Sequence, residues 1–131
     1  MDTTEKVSVN MNVGTLSQID LLIDQGYYSN RSDFINQAVR QVLDQKQPII
    51  QQLSEQNRAQ NKDWFIGICS SLTTDALLRA KRTGQKLSVR GYGLLFIDEK
   101  LDDLVIENVQ EITVRGKILC SDRIKEHFGL K

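Results

Sequence analysis

The chain has 131 residues, 40% of them hydrophobic and 26% charged, a composition that suits one or two small globular domains. No apolar run approaches the roughly 18 residues of a membrane span, and the N-terminus lacks an apolar signal core, so no membrane association is expected and the cytoplasm is the expected address. Seventeen basic and seventeen acidic residues cancel to zero net charge, which leaves no bulk attraction for a nucleic acid. Residues 1–46 are worse placed, with Lys6, Arg31, Arg40 and Lys46 against six acids, a net charge of −2.

Cys69 and Cys120 stand far apart and outside any CxxC spacing, which reads as reduced thiols rather than a disulfide. His127 is the single histidine, so a zinc or nickel site is poorly supplied, and no metal or other cofactor is expected.

Met1 to Glu5 reads as a polar arm. In Lys6-Val7-Ser8-Val9-Asn10-Met11, apolar and polar residues alternate strictly, the pattern of a strand with one buried face. A turn at Asn12 to Gly14 leads to a helix over about 15–25, with Thr15 as N-cap and Leu16, Ile19, Leu22 and Ile23 on one face. Gly26 stops it. Ser29 is the expected N-cap of a second helix reaching about Gln45, with Asp33 in its first turn and Phe34, Ile35, Ala38, Val39, Val42 and Leu43 at helical spacing.

A strand and two helices in about 40 residues cannot bury their apolar faces alone. A lone strand also leaves both edges unpaired. Antiparallel pairing with the same strand of a second copy solves both problems. Val7, Val9 and Met11 then join Leu16, Ile19, Phe34, Ile35, Ala38, Val39 and Val42 in a shared dimer core, and Lys6, Ser8 and Asn10 face outward.

KVSVNM, then LSQIDLLIDQG, then YYSNRSDFINQAVRQVL resembles the ribbon-helix-helix DNA-binding proteins of CopG, Arc and MetJ type, over about residues 5–45. The resemblance implies an intertwined homodimer whose two-stranded ribbon enters the major groove of double-stranded DNA. It makes Lys6, Ser8 and Asn10 the base-reading candidates. Their chemistry suits base edges, since Lys donates to guanine, Asn pairs with adenine, and Ser serves either. The competing reading is a merely solvated strand face. The resemblance also implies that Ser29, Asn30 and Arg31, at a helix start, hold a backbone phosphate. The competing reading there is an ordinary cap and an ordinary surface arginine.

Residues 47–62 are glutamine-rich, with Pro48 read as the first residue of a third helix carrying Ile49, Ile50 and Leu53; a flexible linker is the alternative. Residues 63–131 are expected to form a second, α+β domain. Trp64 to Ile68 reads as a buried strand, and Leu72 to Asp75 leads into a helix ended by Gly84. Arg79, Lys81, Arg82 and Lys86 there read as a helix C-terminus complementing its dipole rather than a second basic patch. Leu87-Ser88-Val89-Arg90-Gly91 recurs as Ile112-Thr113-Val114-Arg115-Gly116, which predicts two related strands. Between them lies an acidic connection, Asp98 to Asp103, with Leu104 to Ile106 leading into the second strand, and Ser121 caps a last helix over 123–128. Arg90 and Arg115 could bind an anion, and Asp98, Asp102 and Asp103 a cation. Ion-paired or solvated arginines and an acidic turn are the commoner outcomes.

No P-loop, nucleophile elbow or Cys/His pair is present, so no enzyme is expected. The expected role is a prokaryotic, sequence-specific transcriptional regulator acting as a repressor, with residues 63–131 adding oligomerisation, effector sensing or a protein partner. Rival readings are an antitoxin that neutralises a toxin and a dimeric scaffold without DNA binding.

Overall fold

The computed structural model describes residues 4–69 and 72–130; Met1 to Thr3 of the expected N-terminal arm lie outside them. The architecture is α+β and divides into two compact units, with the division at Gln51 and Gln52. Among the described residues no helix is long and apolar enough to cross a membrane.

In the first unit, residues 4–12 belong to no strand, because a single chain offers nothing for them to pair with. The first helix, α1 (Val13–Asp24), starts two residues before the expected Thr15. Asn12 is its N-cap: the Asn12 carboxamide accepts from the Gly14 amide at 2.7 Å and the Asn12 carbonyl accepts from the Leu16 amide at 2.9 Å. Asn outranks Thr as a cap, so the helix begins where the better acceptor stands. Gly26, with φ +87°, closes the helix end as expected.

The helix α2 (Arg31–Gln60) is a single 30-residue element, so neither a helix end near Gln45 nor a fresh helix at Pro48 is found. Pro48 sits inside it and lacks the amide that would bond to the Asp44 carbonyl. Residues 39–49 are all exposed, so water can satisfy the carbonyl left over. The flanking Gln, Lys, Leu and Ile side chains meanwhile favour continued helix.

The second unit holds β1 (Phe65–Cys69), α3 (Thr74–Thr83), β2 (Leu87–Phe96), a 3-10 turn over Glu99–Leu101, α4 (Asp102–Asn108), β3 (Val109–Leu119) and α5 (Asp122–Phe128). All three strands are parallel, in the order β1-β2-β3. Thr73 and Ser121 cap α3 and α5 through their hydroxyls, and Gly84 and Gly129 end them in the left-handed conformation. The apolar residues Leu104 to Ile106, expected to lead into the second repeat, do so as part of α4. Its spacing puts Val105 at full burial with Leu101 and Leu104 packed beside it, a helical rather than an alternating pattern.

Leu77 of α3, Val105 of α4 and Ile124 of α5 join one core with Phe65, Cys69, Val89, Leu95, Ile97, Val109 and Ile112. Successive right-handed crossovers that always step the same way along a sheet keep their helices on one face. The opposite face is therefore bare: Ile66, Ile68, Tyr92 and Phe96 are each about half exposed or more. Leu94 is buried but lies outside that core.

The internal repeat is real in strand type but not in alignment. Val89 pairs with Ile112 and Gly93 with Gly116, so β3 is offset by two residues from the match of Gly91 to Gly116. An offset of two preserves which side chains face inward, whereas an offset of one would reverse them.

Candidate nucleic-acid interface

The first unit is short of interior. Ile19 is its one fully buried hydrophobic residue among those described. Val7 and Val9 are 79% and 74% exposed, and Met11, Ile35, Val39, Val42 and Leu43 are exposed as well. Leu16, Phe34 and Ala38 are half-buried. Phe34 stacks edge-on against Tyr28 at 4.8 Å, which ties the start of α2 to the preceding turn. Ile35, Val39, Val42 and Ile49 recur along α2 at heptad-like spacing, one unpartnered apolar stripe.

Lys6, Ser8 and Asn10 are exposed together with Val7 and Val9, since nothing covers either side of this segment in the single chain. The spacing of one intervening residue puts the three polar side chains on one face of any strand they form, opposite the valines.

At the start of α2, Asn30 rather than Ser29 is the cap: the Asn30 carboxamide accepts from the Asp33 amide at 2.8 Å. Asp33 reaches back to accept from the Ser29 amide at 3.0 Å and is steadied by Gln37 at 2.9 Å. This reciprocal arrangement resembles a capping box shifted by one residue, with the Asp33 carboxylate in the role of the returning acceptor. The Ser29 amide, followed by the Gln37 amide group, holds the Asp33 carboxyl below the usual range. With Ser29 and Asp33 amides both engaged, Arg31 and Ser32 carry the first-turn amides that no described contact uses.

Arg31 makes a two-pronged ion pair with Asp20 of α1, Nε to Oδ1 and Nη2 to Oδ2, each at 2.9 Å. That hydrogen-bonded guanidinium lowers the Asp20 carboxyl and the carboxylate raises Arg31 in turn. Both side chains are about half exposed, so solvent screens the pair and a phosphate could replace Asp20. No sequence signal marks Asp20, because its partner lies eleven residues away across a turn, outside any helical spacing. The Asn30 cap has a visible signal, an Asn three residues before an Asp.

The remaining candidates have other occupations. Arg90 pairs with Glu111 at 2.8 Å, while Arg115 lies beside Tyr92 in strand register. Asp98 accepts from the Lys100 amide, and Asp103 pairs with Arg123 at 2.7 Å. Asp102 accepts from the Ser121 hydroxyl at 2.6 Å while its other oxygen is buried without a partner. Lys81 at the end of α3 lies 4.0 Å from Glu107. His127 stacks against Phe128, and burial pushes the Cys120 thiol up, away from thiolate chemistry. Among the described residues no three His, Cys, Asp or Glu side chains gather where they could hold a metal ion.

Exposed valines alternating in sequence with Lys6, Ser8 and Asn10, followed by two capped helices, leave the first unit without cover for its apolar residues. The model of a ribbon-helix-helix transcriptional regulator family matches residues 2–125. The chain belongs to that family, whose members bind DNA and are typically dimeric. No curated protein and no solved structure matches the chain.

Proposed function

We propose that the protein is a sequence-specific transcriptional repressor, cytoplasmic and prokaryotic, that dimerises through antiparallel pairing of residues 6–11 and lays the resulting ribbon in the major groove. Lys6, Ser8 and Asn10 of each chain read base edges. The α2 starts flank the ribbon, where the amides of Arg31 and Ser32 meet a phosphate and Arg31 exchanges Asp20 for it. Ser29 and Asn30 shape that helix start rather than donate from it. The observation that carries the reading is the exposure of Val7 and Val9, alternating in sequence with these three polar residues, in a chain of this family. Residues 1–46 act as the DNA-binding domain, 47–62 as a helical spacer and 63–131 as an oligomerisation or regulatory domain.

With a net charge of −2 on residues 1–46, affinity rests on placed contacts and on the joining of several half-site readers in one assembly. The test is footprinting with Lys6→Ala plus Asn10→Ala. Discrimination between operator and random DNA disappears while the dimer survives on a sizing column. An unchanged footprint removes the ribbon assignment.

A further inference from the structure

The two edges of the sheet are built differently. Along β3 the outward positions and their neighbours include Glu111, Arg115 and Lys117, charges that keep another strand from adding itself. The β1 edge reads Phe65-Ile66-Gly67-Ile68-Cys69 without a single charge. Its Ile66 and Ile68 are 48% and 60% exposed, on the sheet face that the helices leave bare.

A row of glycines crosses the sheet in register, Gly67 beside Gly93 beside Gly116, with φ of +99°, +130° and +146°. In two of them the reason is a neighbour. A Cβ on Gly116 would lie 2.0 Å from the Gly93 carbonyl oxygen, and one on Gly93 would lie 1.9 Å from that of Gly67. Each glycine admits the backbone of the strand before it. Gly67 has the same conformation, but among the described residues nothing lies within 4 Å of its Cβ position. The place that a preceding strand would take is open.

We propose that the β1 edge pairs antiparallel with β1 of a second copy, about a two-fold axis at Gly67, joining the two sheets into one. This deepens the oligomeric role proposed for residues 63–131 and rests on that reading. The strand is its own complement: with Gly67 on the axis, Ile66 stands opposite Ile68 of the second copy and Phe65 opposite its Cys69. Such a contact is isologous and closes on itself. Having no charge, β1 meets no like charge across the seam. Cross-strand pairing also covers Ile66 and Ile68, whose exposure is unusual in a parallel sheet. A second copy is at hand, because members of this family are typically dimeric.

Two measurements on the full chain test the proposal. Ile66→Cys combined with Ile68→Cys forms an interchain disulfide on mild oxidation, whereas Thr113→Cys combined with Arg115→Cys on the other edge does not. Absence of the first cross-link, or equal cross-linking at both edges, overturns the proposal. Hydrogen exchange then covers the case of a distorted variant. Peptides over 65–69 are protected in the unsubstituted chain and lose at least tenfold in protection with Ile68→Lys, while 87–96 stays protected as proof of folding. Equal exchange over 65–69 in both proteins refutes the pairing. The same experiment reads protection over residues 6–11 separately, so failure of the ribbon is seen apart from failure of the β1 seam.

Discussion

Truncating Val9 to Ala probes the dimer at the point where a single chain is least complete. The change removes two methyl groups per chain, four per dimer. Because Val9 is 74% exposed in the lone chain, nearly all the burial of those methyls has to come from the partner. At about 0.8 kcal/mol per buried carbon, the loss is on the order of 3 kcal/mol per dimer, or about a hundredfold in the dimer dissociation constant. Sedimentation equilibrium across a concentration series reads this directly, with Ser8→Ala as the control on the opposite face. Ser8→Ala leaves the dimer constant unchanged and weakens operator binding. The β1 seam proposed for the second unit would hold chains together independently, so the measurement is made with Ile68→Lys in both proteins. A dimer constant for Val9→Ala equal to that of the parent would refute the ribbon as the main dimer contact.

Replacing Arg31 by Ala removes one phosphate contact per chain, so the slope of log affinity against log salt becomes shallower by about 2 per dimer, uniformly across DNA sequences. An effect confined to one operator base contradicts the phosphate role. Asp20 and Asp33 are both held below their ordinary range by hydrogen bonds, from Arg31 and from Ser29 and Gln37. Their contribution is complete above the unfolded carboxylate pKa and is lost as pH falls through the lower folded values. Denaturant titrations therefore show a first unit that weakens on acidification below the ordinary Asp range, with a flatter acid limb in Asp20→Asn plus Asp33→Asn; parallel limbs would show that other carboxylates govern it. Gly93→Ala forces a side chain into a left-handed position 1.9 Å from a carbonyl oxygen. The backbone conformation alone costs about 1–3 kcal/mol, and the strands must also part, so the second unit melts several degrees lower; an unchanged melting temperature would show that β1 and β2 separate freely there.

Much of the local structure is legible in the residues. The helices ended by Gly26 and Gly84, the hydroxyl cap at Ser121 and the strand character of residues 87–91, 112–116 and most of 64–68 follow from short-range chemistry. Capping is less legible. Asn12 displaces Thr15 because Asn is the better cap, whereas Asn30 displaces Ser29, an equally good cap, by standing at the residue where the turn ends. Pro48 misleads for a different reason: its cost in an exposed helix is partly met by water, so the helix runs on.

The alternation of Lys6 to Met11 and the apolar stripe of α2 by themselves determined that the first unit is incomplete alone, since burial demands a partner whatever its geometry. The resemblance carried by the same residues named the family. What only the tertiary structure decided are relations between residues far apart in the chain. Arg31 finds Asp20 across a turn, β3 slides two places from its repeat, and three glycines from three strands come into one row with its end open. No periodicity encodes such relations, because each arises when separate elements, already formed, pack in one register rather than another.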